Sequence, residues 1–267
     1  MSMLISIDNG GTLTDACVIY GAKVFRAKTL TTPHDLTQCF VQVLKEASKR
    51  VYGEERLGAL LEEVDYIRYS TTQGTNAVVQ RKGPRLGLIL RKGQDPSDEE
   101  LETGLTAVIN ELMSAGANRV VVSLGGANLA ADEMKVKHVA LLRYPRHLLG
   151  AVPILYSHQL SDDEDDARRT WSSLLNAFLH PAMERFLYNA ENVLRESRTR
   201  NPLLIFCNDG TSSRVAKTVA LKTWGSGPRG GMEGAKALAQ HYGKNTLLTM
   251  DIGGTTTDIG VVDRGEV

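Results

Sequence analysis

The chain has 267 residues, with 31 Lys and Arg against 31 Asp and Glu, a formal net charge of zero, and an apolar fraction of 42%. That length supports one large domain or two smaller ones, and the charge balance supplies no global field to recruit nucleic acid or an anionic membrane. Cys17, Cys39 and Cys207 lie far apart without metal-ligand spacing, no apolar run could cross a bilayer, and no secretory leader pattern opens the chain; reduced thiols and a cytoplasmic location are expected.

In chain order, Met3-Leu4-Ile5-Ser6-Ile7 predicts a strand. Asp8-Asn9-Gly10-Gly11-Thr12-Leu13-Thr14-Asp15 follows as a glycine turn, and Ala16 to Tyr20 returns as a second strand. Lys23 to Leu30 reads as a third. Thr31-Thr32-Pro33-His34-Asp35 then enters a helix to about Val51, with a threonine as the candidate cap. Glu54 to Glu63 reads as another short helix. Asp65 to Tyr69 is strand-like and runs into the polar cluster Ser70 to Asn76, ahead of a helix over Ala77 to Lys82. A polar loop between strand and helix is a common place for ligand contacts. A helix-capping cluster is the alternative.

Leu86 to Leu90 predicts a buried strand, and Ser97-Asp98-Glu99-Glu100 is a capping box opening an amphipathic helix that Gly116 ends. A strand at Arg119 to Leu124, a helix at Ala130 to Leu142 and a strand at Val152 to Tyr156 continue an alternation that argues for an α/β layer with a largely parallel sheet. The acidic run Asp162 to Asp166 reads as the solvated first turn of a long helix. Its core face is expected to carry Trp171, Leu174, Leu175, Phe178, Phe186, Leu187, Val193 and Leu194, with a bend at Pro181. Arg195 to Pro202 suits a junction between lobes. Leu203 to Cys207 is a short strand, Ser213 to about Leu221 a helix, and Gly225 to Gly231 a glycine loop before a helix over Ala235 to His241.

The final segment repeats the first. Thr246 to Met250 is a strand, Asp251-Ile252-Gly253-Gly254-Thr255-Thr256-Thr257-Asp258 a turn, and Ile259 to Val262 a strand; six of the eight turn positions match the first copy. Paired glycines bring backbone N–H groups close to an anion with no Cβ in the way, and such concave N–H runs bind phosphate oxygens. A carboxylate leaving the first strand would repel bare phosphate, so Asp8 and Asp251 point to a divalent cation, with Mg²⁺ the natural candidate. A single such turn could equally be an ordinary hairpin; two in matching contexts argue for a phosphate clamp.

The duplicated turns resemble the two phosphate loops of the superfamily containing sugar kinases, actin and the heat-shock chaperones. Within it, Asp8 to Asp15, Ser70 to Gly83, Ser226 to Ala235 and Asp251 to Asp258 together resemble the hydantoinase A, 5-oxoprolinase and acetone carboxylase family. The resemblance implies a ribonuclease H-like, actin-like ATPase fold. One lobe would span 1–198 and be nearly complete, and a second would begin over 199–267, so that the chain reads as a truncated piece. It implies ATP and Mg²⁺ as cofactors and a substrate with an amide or ketone carbonyl. The expected reaction is hydrolysis of a cyclic amide of the hydantoin or 5-oxoproline type after phosphorylation of its carbonyl oxygen, or the ATP-using step of a ketone carboxylase. A second subunit of the hydantoinase B type is the implied partner.

By the same resemblance Asp8 and Asp251 hold the metal, and Gly10, Gly11, Thr12, Thr14, Gly253, Gly254, Thr255 and Thr256 bind the nucleotide. Asp15 and Asp258 either orient a nucleophile or cap the turns. Thr71, Thr72, Asn76, Ser226 and Gly227 are the substrate-side candidates. Three departures stand out: Asn9 replaces a small apolar residue, Tyr69-Ser70 replaces His-Gly, and the segment after Leu90 is shortened. A regulatory ATP-binding module of the actin or chaperone type and a small-molecule kinase are the alternative functions.

Overall fold

The computed structural model describes residues 2–90, 98–145, 147–148, 151–254 and 257–267. They form two compact units, one from residues 1–81 and 182–267, the other from 82–181.

The first unit opens with β1 (Met3–Asn9), β2 (Leu13–Tyr20) and β3 (Lys23–Leu30), an antiparallel meander. Strict alternation along β1 buries Met3, Ile5, Ile7 and Asn9 and turns Leu4, Ser6 and Asp8 outward. Helices α1 (Leu36–Tyr52) and α2 (Leu57–Glu63) lead to β4 (Tyr66–Thr71), which pairs parallel with β1, and then to α3 (Gln73–Val79). The N-cap of α1 is Asp35, whose carboxylate accepts from Thr37 N at 3.0 Å, and not a threonine. Thr32 instead accepts from Cys39 N at 3.1 Å, so the hydroxyl ties the entry loop to the second turn while the carboxylate caps the first.

The second unit holds β5 (Leu86–Leu90), α4 (Asp98–Ser114), β6 (Arg119–Ser123), α5 (Leu129–Arg143) and β7 (Ile154–Tyr156). Its three strands are all parallel, in the order β5-β6-β7, as the alternation of strands and helices predicts. The core joins Leu105, Ile109, Val122, Val136 and Tyr156. Ser97 of the capping box lies outside the described residues. The long helix α6 (Asp166–Glu196) contains Pro181, and the division between units falls there. Trp171 is 66% exposed, not core. The buried stripe runs through Ser173, Asn176, Ala177, Met183, Leu187, Ala190 and Leu194, and Trp171 falls off it.

Back in the first unit, β8 (Leu204–Phe206) pairs parallel with β4 and antiparallel with β9 (Ser212–Arg214), completing a six-stranded sheet ordered β3-β2-β1-β4-β8-β9. Phe40 of α1, Tyr69 of β4 and Phe186 of α6 pack as an aromatic trio, with centroids 4.7 to 6.2 Å apart. Ser213 to Leu221 is not one helix. It divides into the end of β9, a single 3₁₀ turn and the start of α7 (Ala220–Thr223), because Ser213 pairs with Ile205 on the sheet edge.

The glycine cluster is helical: α8 begins at Ser226 and runs to His241. Gly225, at φ 73°, makes the sharp entry that only glycine adopts freely. Helix α8 packs Met232, Ala235 and Ala239 against Leu247 and Val262 of the final hairpin, β10 (Thr246–Ile252) with β11 (Thr257–Asp263). The other face of that hairpin is bare, with Leu248, Met250, Ile252, Ile259 and Val261 between 51% and 73% exposed.

Candidate functional site

Both glycine turns close antiparallel hairpins of the same register. Asp8 stands opposite Asp15 in the first, and Asp251 opposite Asp258 in the second. The first turn is closed by a hydrogen bond from Gly10 N to the Leu13 carbonyl at 3.0 Å. A Cβ on Gly10 would meet that same carbonyl oxygen at 2.9 Å, so the turn needs glycine there.

The two turns face each other. A Cβ on Gly254 would stand 2.6 Å from Thr12 Oγ1, so the Thr12 side chain lies directly over the backbone of the second turn. Thr255 and Thr256 lie outside the described residues. Gly11, Thr12, Gly253 and Gly254 are open to solvent at least in part, as groups meant to meet an anion must be.

Asp8 leaves β1 on the solvent side but is surrounded by protein. Burial raises its carboxyl above the ordinary aspartate range; the Ser70 hydroxyl, donating to Oδ1 at 2.6 Å, works against that, and the charges of Asp15 and Asp251 push it up further. Lys28 engages Asp15 at 3.0 Å, which leaves Asp8 without a cationic partner of its own among the described residues. A carboxylate whose ionisation is opposed by burial and by two neighbouring carboxylates is suited to a cation. No group of three or more His, Cys, Asp or Glu among the described residues could cage a metal directly. The donor set fits a hard cation that keeps most of its waters and takes phosphate oxygens as its remaining ligands.

Helix α8 reaches this place by its first turn: a Cβ on Gly227 would lie 3.4 Å from Asp8 Oδ1 and 3.7 Å from Thr72 Cγ2. The helix N-terminus brings unpaired N–H groups and the positive end of its dipole toward the carboxylate. Thr72 and Asn76 are half-buried beside it. Asn76 Nδ2 donates to Thr72 Oγ1 at 3.4 Å, and Thr72 Oγ1 to the Asn9 carbonyl at 3.3 Å.

Three sequence candidates point inward instead. Thr14, Thr71 and Ser226 are 0%, 1% and 0% exposed, and their hydroxyls are committed to protein partners. The alternation of β2 and β4 places the two threonines on the inner face. Ser70, which donates to Asp8, and Lys28, which pairs with Asp15, were not among the named site residues. Strand pairing could have found them, since Ser70 is the register partner of Asp8 and Lys28 that of Asp15.

Two family models match the chain: the hydantoinase/oxoprolinase N-terminal region over residues 4–107 and hydantoinase/oxoprolinase over residues 169–267. The acetophenone carboxylase gamma subunit of Aromatoleum aromaticum is 27% identical over 98% of this chain and 43% of its own length. The caprolactamase subunit alpha of Pseudomonas jessenii is 24% identical over 98% and 43%. Among solved structures, nucleotide-free acetone carboxylase superposes with a TM-score of 0.87 at 21% identity, over 99% of this chain and 44% of that one. The ATP-dependent caprolactamase of Pseudomonas jessenii superposes with a TM-score of 0.75 at 20% identity. These likenesses show the actin-like fold, and the chain spans under half the length of the relatives it matches. With the two family models over residues 4–107 and 169–267 and the paired glycine turns in agreement, this chain belongs to the hydantoinase/oxoprolinase family.

Proposed function

We propose that the chain is the nucleotide-binding part of an ATP-dependent enzyme that activates a carbonyl compound by phosphorylating its oxygen. Its substrate is either a cyclic amide opened by hydrolysis or a ketone destined for carboxylation. The observation that carries this reading is the meeting of the two glycine turns at Thr12 and Gly254, with Asp8 under the charges of Asp15 and Asp251. The names of the relatives, ATP-dependent caprolactamase among them, are consistent with it.

On this reading Gly10, Gly11 and Thr12, with Gly253 to Thr256, grip the phosphates through backbone N–H and hydroxyl groups. Asp8 and Asp251 hold Mg²⁺ through its waters. A bound Mg²⁺ would neutralise charge on the phosphate oxygens. Ser70 fixes the Asp8 carboxylate by donating to its Oδ1. The α8 mouth adds N–H groups to the same side. Catalysis is then mostly positioning and charge stabilisation, because an amide or enolate oxygen leaves poorly until it carries a phosphoryl group. Asp15, paired to Lys28, supports the turn, and Asp258 takes the equivalent place in the second hairpin. A lobe boundary near residue 198, after α6, and a second subunit belong to the same proposal.

The test is a Mg-ATP titration of native, D8A and D251A chains. Loss of binding in both variants supports the clamp, and unchanged binding in both removes it. ADP release by the whole enzyme on a panel of hydantoin, 5-oxoproline and simple ketones then identifies the carbonyl class. Release that none of them stimulates refutes the carbonyl reading.

A further inference from the structure

The second hairpin shows that such a turn does not need a polar residue after its first aspartate: Ile252 fills that place and is 73% exposed. In the first hairpin the place belongs to Asn9, which is 2% exposed. Burying an amide costs several kcal/mol unless its groups are paired. Here they are. Asn9 Nδ2 donates to Thr14 Oγ1 at 2.7 Å and to the Cys39 thiol sulfur at 3.6 Å, while Oδ1 accepts from Thr71 Oγ1 at 3.3 Å.

The hydroxyl protons follow in sequence. Thr31 donates its one proton to the Gly10 carbonyl at 2.9 Å, so Thr14 is the donor in its 2.9 Å contact with Thr31. On the other side of Asn9, Thr71 N donates to Ser226 Oγ at 3.3 Å, and Ser226 Oγ donates back to the Thr71 carbonyl at 3.4 Å. The series Gly10, Thr31, Thr14, Asn9, Thr71, Ser226 therefore runs from the backbone of the first glycine turn to the first residue of α8. That helix carries the second hairpin on its apolar face.

We propose that Asn9 is a positioning residue that locks the first glycine turn to the mouth of α8, and thereby sets the spacing of the phosphate-facing groups on the two hairpins. The proposal rests on the nucleotide reading above. An apolar side chain would pack the same site without specifying a single arrangement; a fully satisfied buried network does specify one.

Two substitutions cut the series at different links. N9L keeps an apolar body of similar shape, and S226A removes the far hydroxyl. In Mg-ATP titrations of the full chain, each is expected to weaken binding about tenfold, and N9L/S226A no further, because both break one connection. Additive losses, or native affinity in a folded N9L, overturn the proposal. Hydrogen exchange of the amides of residues 225–231 gives a second readout that needs no nucleotide. N9L is expected to speed exchange there, while L44A, a core change elsewhere in the unit, leaves those amides at their native ranking within the chain. Unchanged exchange in N9L removes the relay. Relay-dependent exchange in a chain that binds no Mg-ATP removes the nucleotide reading alone.

Discussion

Asp8 is held in a state that costs the folded chain something. Its folded pKa is raised, chiefly by burial, so its neutral form is the more compatible with the fold. The sign follows from linkage: a raised carboxyl contributes stability below its unfolded value, and that contribution is lost as pH rises through the folded value. D8N is therefore expected to melt at a higher temperature than the native chain near neutral pH, with the gap closing below about pH 4, while Mg-ATP binding disappears. Thermal melts across that range check the first statement and titration the second. Asp209 behaves oppositely. Bonds from the Thr211 hydroxyl and then its N–H, with Lys222 at 3.0 Å, hold its carboxyl down to about 2. Its stabilisation is present above the ordinary value of 3.8 and lost as pH falls toward 2. D209N should lower the melting temperature slightly at neutral pH, since the site is exposed, and match the native chain once Asp209 is protonated.

Among the elements, the second turn and α8 are where local rules and tertiary structure part company. Four glycines between Gly225 and Gly231 read as a loop by propensity, yet all but Gly225 lie in α8. Packing of Met232, Ala235 and Ala239 on the final hairpin outweighs their cost. Likewise Ser213 joins a sheet edge because β8 is there to pair with, a fact no window of sequence contains. The hairpins were legible because glycine pairs between alternating apolar runs have one economical geometry. The relay through Asn9 was not, since alternation tells which residues face inward but not which inward residues meet. The contact at Gly254 ties the two hairpins together. G254A drives a methyl to within 2.6 Å of Thr12 Oγ1, so the Thr12 side chain must turn away or the turns must separate. Mg-ATP affinity is expected to fall about tenfold or more with little change in melting temperature, because both turns are open to solvent.

At the scale of the molecule, the sequence gives away its two-fold use of one motif and its α/β class, and both are present. It conceals that residues 1–81 and 182–267 make one compact unit while 82–181 make another, because unit membership depends on long-range pairing such as β4 with β8. The hairpin β10–β11 also governs how the protein behaves on refolding. A two-stranded ribbon is marginal by itself, and this one shows water an apolar row of Leu248, Met250, Ile252, Ile259 and Val261. During refolding from denaturant at high protein concentration, that row is prone to pair with its like in another copy. M250K, which puts a charge at the middle of the row where Met250 is 61% exposed, is expected to raise the yield of monomer in light-scattering assays without altering the far-ultraviolet circular dichroism spectrum.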